Sequence, residues 1–335
     1  MAKVAVLGSG GWGTALAVML HRNNHQVALW SPFEEEIAQM RRFNQHKTLL
    51  PGVALSPHIE LTTDLSCVKG VDLVIMAVPS FAIRSTARLL QPLLADGTII
   101  ANAGKGLEDD TFLRFSTVIA EEIPQATVVA LSGPSHAEEV ARAVPTSVCA
   151  ACEDLQAAST VQNICANSAF RVYTSDDIVG VELGGALKNV IALAAGILDG
   201  MQLGDNSKAA LMTRGLAEIA RLGTKLGARA ETFAGLSGIG DLIVTCGSMH
   251  SRNRRAGILI GQGVSPKAAV DQVGTVEGYL AVQAAYRLSQ KLGVEMPIVE
   301  QCYAVCYENK PERQAVAELM NRPQRSETEE IAWMV

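Results

Sequence analysis

The residues that most constrain this chain come almost first. A short apolar strand, Val4-Ala5-Val6-Leu7, runs into Gly8-Ser9-Gly10-Gly11-Trp12-Gly13 and then into the helical Thr14-Ala15-Leu16-Ala17-Val18-Met19-Leu20. A G-x-G-x-x-G spacing alone is a weak signal, but at the end of a first strand and opening a helix it prescribes a βαβ unit. Gly8 makes the tight turn, Gly10 lets backbone approach a pyrophosphate, and Gly13 lets helix and strand pack closely. The helix N-terminus then turns its N–H groups toward an anion.

Gln26–Trp30 is predicted as the second strand, with further strands at Val71–Val78, Thr98–Asn102 and Thr127–Leu131 and helices between them. Near-continuous apolar strands alternating with helices specify a parallel sheet covered on both faces. Ligands bind beyond the carboxyl ends of such strands. Those ends carry Pro79-Ser80, Gly104-Lys105-Gly106 and Ser132-Gly133-Pro134-Ser135-His136-Ala137. Lys105, between two glycines, is expected to aim its ammonium into the crevice. Ser135-x-x-Glu138 has capping-box spacing and predicts a helix start; His136 beside it receives no role.

An Asp or Glu ending the second strand would hold a ribose 2′-hydroxyl. Here Ser31-Pro32-Phe33-Glu34 follows, and Ser31-x-x-Glu34 with Pro32 at the first helical position reads as a capping box, making Glu34 structural. No carboxylate at the strand end repels a 2′-phosphate and no arginine there demands one, although Arg41 and Arg42 could reach, so the preference between NAD and NADP stays open, with a leaning to both.

The 335 residues suffice for two domains with large cores. A net charge of -6 without a basic tract argues against nucleic acid or anionic membrane as partner. No secretion signal is visible, and the longest apolar run, between Lys188 and Asp199, is about half a membrane span, so a cytoplasmic protein without a membrane span is expected. The seven cysteines are scattered. Cys149-x-x-Cys152 and the pair Cys302 and Cys306 lack companion ligands, so no metal is expected and the thiols read as buried and reduced.

After Phe170-Arg171-Val172-Tyr173 the alternation of strand and helix stops. The predicted organisation is α/β + all-α: an N-terminal Rossmann-type doubly wound dinucleotide-binding domain over 1–175, an all-helical substrate and catalytic domain over 176–322, and a polar tail over 323–335 that should fray. The first helix of the second half, from near Asp177 to near Asp199-Gly200, is apolar almost all round and should be buried. Lys188 lies in it, one turn after Gly184-Gly185. A lysine is almost never fully buried unless paired, so it either snorkels to water or works in a site.

A helix over about 206–227 carries Arg214, Glu218, Arg221 and Lys225 on one stripe, predicted to be solvated, with Glu218 pairing to Arg221 or Arg214. Asp241, alone in the apolar run Gly238–Cys246, is either a helix N-cap or a buried carboxylate. Ser251-Arg252-Asn253-Arg254-Arg255 is the densest cationic cluster. The planar fork of Arg252 suits a phosphate, with Asn253 donating beside it, while Arg254 and Arg255 are expected to be solvated.

Six of these segments in order, Gly8-x-Gly10-Gly11-Trp12-Gly13-Thr14-Ala15, Lys105-Gly106-Leu107-Glu108, Ser132–Ser135, Gly184–Asn189, Gly240-Asp241-Leu242 and Ser251–Arg255, resemble the motifs of the NAD(P)-dependent glycerol-3-phosphate dehydrogenase family in its soluble bacterial form. The resemblance covers about residues 3 to 320. It implies reduction of dihydroxyacetone phosphate to sn-glycerol 3-phosphate for phospholipid synthesis, with a triose phosphate as the small-molecule partner, and it leaves a homodimer open.

The likeness makes Lys188 the proton acceptor in the oxidative direction, with Lys105 and Asp241 beside it in catalysis. Substrate contacts would come from Lys105, Gly133, Ser135, Lys188, Asn189, Asp241, Ser251, Arg252 and Asn253. Cofactor contacts would come from Gly8, Gly10, Gly11, Trp12, Gly13, Pro32, Phe33, Lys105, Ala137, Arg252, Thr275 and Glu277. The chain departs from many relatives at Gly11, where they carry serine, at Pro32, where they often offer histidine, and over Gly274-Thr275-Val276-Glu277, which is one residue shorter than in some.

The residues fit that chemistry independently. An ammonium can stabilise and protonate the oxygen of a ketone receiving a hydride; burial would oppose the charge on Lys188 and Asp241 would favour it. The rival enzyme, a β-hydroxyacid or 6-phosphogluconate-type dehydrogenase, tends to place asparagine four residues after the lysine, where this chain has Ala192. A nicotinamide-sensing binding protein without turnover needs neither a buried lysine nor an arginine clamp.

Overall fold

The computed structural model describes residues 1–327, which divide into two compact units: Met1–Glu108 with Leu113–Ile178, and Asp109–Phe112 with the chain from Val179 onward. The first unit is built on one eight-stranded sheet, with strands β1 (Lys3–Leu7), β2 (Gln26–Trp30), β3 (Glu60–Thr62), β4 (Leu73–Met76), β5 (Ile99–Asn102), β6 (Thr127–Ser132), β7 (Thr146–Ala151) and β8 (Phe170–Ser175). Their order is β3-β2-β1-β4-β5-β6-β7-β8, and every pair is parallel except β6 with β7. The doubly wound sheet expected from sequence is therefore present, but it is mixed and larger, because β3, β7 and β8 were not anticipated.

Alternation along each strand sends successive side chains to opposite faces. Val4, Val6, Val27, Leu29, Leu73 and Ile75 face α1 (Gly11–Arg22) and further helices of the same cluster. Ala5, Leu7, Val74, Met76 and Ile100 face the opposite core, to which α3 (Ile83–Leu90) and α4 (Phe115–Glu122) contribute. Between these helices, α2 (Glu34–Phe43) follows β2. The capping box expected at Ser31 does not form: α2 starts at Glu34 with Phe33 as its N-cap and no side-chain cap, and the Ser31 hydroxyl bonds to Glu36 instead. The helix expected after Ser135 is only the four-residue α5 (Ala137–Val140), again without a side-chain cap. A longer helix, α6 (Leu155–Cys165), precedes β8.

Helices make up the second unit. They are α7 (Ile178–Gly200), α8 (Gly204–Lys225), α9 (Asp241–Gly247), α10 (Arg252–Gly261), α11 (Pro266–Val273), α12 (Glu277–Leu292), α13 (Pro297–Tyr307) and α14 (Glu312–Met320). The 23-residue α7 is long and apolar enough to cross a bilayer, but 94% of its apolar window is buried, so it serves as a core helix. It crosses α10 at a glycine seam. A Cβ at Gly196 would fall far inside van der Waals contact of the Arg254 carbonyl, and one at Gly257 would do the same to Leu193. The two backbones touch where neither has a side chain.

The stripe on α8 is solvated only in part: Lys225 is exposed and Arg214 and Arg221 are half-buried, but Glu218 is not on a wet face. Glu218 is 2% exposed and accepts the backbone N–H groups of Ile298 (2.7 Å) and Val299 (3.2 Å), so it caps α13. Burial pushes its carboxyl up to about 8, against the opposite pull of those N–H groups and of Arg221. The native state thus holds a proton that the unfolded chain releases above the ordinary value of 4.5, and Glu218's contribution to stability declines as pH rises from there toward about 8. Chemical denaturation across that window is expected to show a falling stability that Glu218→Gln flattens; an unchanged pH slope in the variant would contradict this reading.

The start of the polar tail is tied down, since Arg325 pairs with Glu295, as does Arg322 just before the tail. The rest of the tail, 328–335, lies outside the described residues.

Candidate functional site

The residues singled out from sequence fall into two groups, one on each unit. In the first unit β1 ends against the glycine turn. Gly8 has φ +103°, and a Cβ there would lie 2.6 Å from the Ala77 carbonyl oxygen, so only glycine fits. Gly13 is equally closed, against the Gly8 carbonyl. Gly10 is the opposite case: a Cβ there would meet nothing within 4 Å. The turn is thus packed on two glycines and open at the third, the arrangement a pyrophosphate cradle requires. The first turn of α1 carries no acidic residue and no side-chain cap, which suits its N–H groups to an anion. The residues present therefore fit a dinucleotide.

Gly11 is closed by its neighbour: a Cβ there would lie 2.8 Å from the Leu49 carbonyl oxygen. Trp12 packs partly buried against the core. Pro32 and Phe33 are exposed just past β2, Phe33 by 67%. Lys105 donates to the Gly133 carbonyl (2.8 Å) and lies 3.5 Å from the Ser135 hydroxyl. Ser135 donates to the same carbonyl (2.9 Å), and Gly133 has φ +134° with Val148 packed against it. Lys105, Gly133 and Ser135 are therefore brought together, with Ala137 opening α5 just beyond. His136 is the N-cap residue of that helix, without a side-chain cap bond.

In the second unit Lys188 does not snorkel. It is 5% exposed, and its ammonium donates to Asp241 Oδ1 at 2.7 Å and to Thr245 Oγ1 at 2.5 Å. Asp241 is 1% exposed and is the first residue of α9 rather than an N-cap. The approach depends on Gly184, where a Cβ would lie 2.7 Å from the Ser237 carbonyl oxygen, in the π-helical turn Leu236–Gly240 that leads into α9. Thr245 also donates to the Asp241 carbonyl (2.6 Å), which fixes its hydroxyl between the charged pair. Thr245 went unnoticed in the sequence, although its i,i+4 spacing from Asp241 on a short helix was a usable signal.

Beside this pair the α10 N-terminus is tied to α7 and α12. Asn253 donates to Asn189 Oδ1 (2.9 Å) and accepts the Gly278 N–H (2.8 Å). Both asparagines are buried, so the Asn253 amide, expected from sequence to donate beside a phosphate, holds the three helices together. Ser251 caps α10 by accepting the Arg254 N–H (3.2 Å). Arg252 is exposed at the first position of that helix. Arg254, expected to be solvated, instead pairs with Asp199 at 2.7 Å and reaches the Gly247 carbonyl at 2.9 Å. Arg255 is exposed. Thr275 is exposed, and Glu277 opens α12 next to Gly278.

All seven cysteines are free thiols, six of them buried. Among the described residues no group of three or more His, Cys, Asp or Glu is placed to hold a metal ion.

Two family models match the chain. One, described as the NAD-dependent glycerol-3-phosphate dehydrogenase N-terminus, covers residues 3–158, and its C-terminal counterpart covers 177–317. The chain is 54% identical over 333 residues to the glycerol-3-phosphate dehydrogenase [NAD(P)+] of Moorella thermoacetica, covering 99% of both chains. It is 49% identical over 335 residues to the enzyme so named in Agathobacter rectalis, covering 99% of this chain and all of the relative. Among solved structures, the glycerol-3-phosphate dehydrogenase of Coxiella burnetii superposes with a TM-score of 0.92 at 38% identity, covering 96% of this chain and 99% of that one.

Proposed function

The chain belongs to the NAD-dependent glycerol-3-phosphate dehydrogenase family, and on that premise we infer that it reversibly reduces dihydroxyacetone phosphate to sn-glycerol 3-phosphate using NAD(H) or NADP(H). The observation that carries the assignment of roles is the buried Lys188–Asp241–Thr245 group. An ion pair taken out of water costs several kcal/mol per charge before its own attraction is counted, and apolar replacement is often as stable. Retaining it in the middle of an apolar core helix is best accounted for by chemistry.

A reduced nicotinamide dinucleotide held at the glycine turn would supply the hydride for the ketone carbon. As the C–H bond forms, negative charge develops on the carbonyl oxygen, and the Lys188 ammonium stabilises that charge and transfers a proton to it. Asp241 holds the ammonium charged and aimed, and Thr245 fixes its rotamer. Neutral Lys188 is the base in the oxidative direction. Asn189 is held by Asn253 at the same turn of α7, which places its side chain for the substrate hydroxyls. Lys105, Gly133 and Ser135 form the polar group of the first unit, and Gly8, Gly10, Gly11, Trp12 and Gly13 receive the pyrophosphate. The product suits glycerophospholipid assembly.

Arg252, exposed at the head of a ten-residue helix, anchors the substrate phosphate and turns remote binding energy into orientation of the ketone. The test is kinetic. Arg252→Ala is expected to lower kcat/KM for dihydroxyacetone phosphate by about 10- to 100-fold, the worth of a charge-assisted contact, and to leave the slow reduction of unphosphorylated dihydroxyacetone unchanged. Equal losses on both ketones would remove the clamp, and a faster reaction with a β-hydroxyacid would favour the rival enzyme class.

A further inference from the structure

The loop that packs on the glycine turn is fastened by a polar cluster distinct from the residues assigned to substrate or pyrophosphate. Glu36, in the first turns of α2, accepts hydrogen bonds through Oε2 from Ser9, inside the glycine turn, and from Ser31 at the end of β2 (2.5 Å). Its Oε1 meets His46 Nε2 at 3.1 Å, and His46 Nδ1 in turn accepts the Leu49 N–H at 3.3 Å. Ser9, Ser31 and His46 are buried, whereas the Glu36 side chain keeps 26% of its surface exposed. One carboxylate therefore stands between the glycine turn and the β2 end, with part of its surface open.

That is the position beside which this fold seats the adenosine ribose, and Glu36 follows the last glycine of the turn at about the 20-residue spacing typical of a ribose-reading acid. Neither Ser31 nor Glu34 supplies a carboxylate at this end. Glu34 in fact points away, accepting from the Thr63 hydroxyl. The cations that could have met a 2′-phosphate are engaged elsewhere: Arg41 donates to the Leu61 carbonyl, and Arg42 and Lys47 lie over the Phe43 ring. His46, Ser31 and Ser9 also hold the Glu36 carboxyl down to about 2, so the charge persists throughout the working range of pH.

We infer that Glu36 sets the cofactor choice, favouring NAD(H) by placing a fixed negative charge where the 2′-phosphate of NADP(H) would have to sit. The inference rests on dinucleotide binding by the first unit.

The test is calorimetric titration of the full chain with NADH, NADPH, 5′-AMP and adenosine 2′,5′-bisphosphate. The unaltered chain is expected to bind NADH and 5′-AMP more tightly than their 2′-phosphorylated counterparts, by about tenfold or more at low salt, with the gap narrowing as salt screens the repulsion. Glu36→Gln is expected to shrink that gap about tenfold. His46→Gln, which loosens the same loop but keeps the charge, is expected to preserve it. Equal or inverted affinities in the unaltered chain, a gap indifferent to salt, or a gap lost equally in His46→Gln would overturn the inference. The salt series uses the unaltered chain, so the test stands even if a variant fails to fold. Failure to bind either dinucleotide would instead remove the underlying assignment of the first unit.

Discussion

Lys188→Met is expected to lower kcat by about 10²–10⁴-fold, the range for removing a positioned proton donor, while the NADH dissociation constant stays within a few-fold of the unaltered value. The same change strands the Asp241 carboxylate, 1% exposed, without its counter-charge. Stability should therefore fall by about 3–5 kcal/mol, as when one partner of a buried pair is removed. Stability and chemistry can be separated by replacing both partners. Lys188→Met combined with Asp241→Asn removes the stranded charge, so denaturant midpoints should recover most of the loss while kcat stays low. A double variant that regained turnover along with stability would show that the single variant was merely unfolding, and Lys188 would lose its role.

Gly257→Val should be among the most destabilising single changes in the second unit. The atoms a Cβ would strike, the Leu193 carbonyl and Gly196 Cα, belong to the backbone of α7, so no rotamer change can relieve the overlap. Overpacking of this kind costs about 3 kcal/mol or more. If the variant folds, α10 must shift on α7, and the Asn253–Asn189 bond (2.9 Å) at its N-terminal end should be lost. Urea denaturation and the KM for dihydroxyacetone phosphate are the measurements. A variant with unaltered stability would mean that the helices do not cross at their glycines.

How far the sequence could be read depended on how local the physics was. The glycine turn was legible because strand, turn and helix are contiguous and Gly13 closes on the Gly8 carbonyl within the turn itself, although the contact that demands glycine at Gly8 comes from Ala77, beyond β4. Helix α7 was legible for the same reason: twenty-three residues of near-continuous apolarity admit few alternatives, and a lysine within them had to be accounted for. Glu218 was misread because its partners, the N–H groups of Ile298 and Val299, lie 80 residues or more away, and a carboxylate capping a distant helix looks in sequence like one on a wet surface.

Arg254 was misread likewise, since Asp199 stands 55 residues before it. Ser31 and Ser135 show how a local motif can be outcompeted. Each has capping-box spacing, yet Glu36 takes the first hydroxyl and the Gly133 carbonyl takes the second. The antiparallel β7 could not be anticipated, because pairing direction is set by how the chain returns along the sheet and not by the composition of the strand.

The most direct measurement is a single turnover. The unaltered chain and Lys188→Met are each loaded with one equivalent of NADH and mixed with excess dihydroxyacetone phosphate, while the absorbance of the reduced nicotinamide is followed. The unaltered chain is expected to consume its NADH in one rapid phase and to form one sn-glycerol 3-phosphate for each NADH lost, whereas the variant should hold its NADH unchanged on that timescale. Equal consumption by both proteins, or none by the unaltered chain, would contradict proton transfer from Lys188 to a triose phosphate ketone.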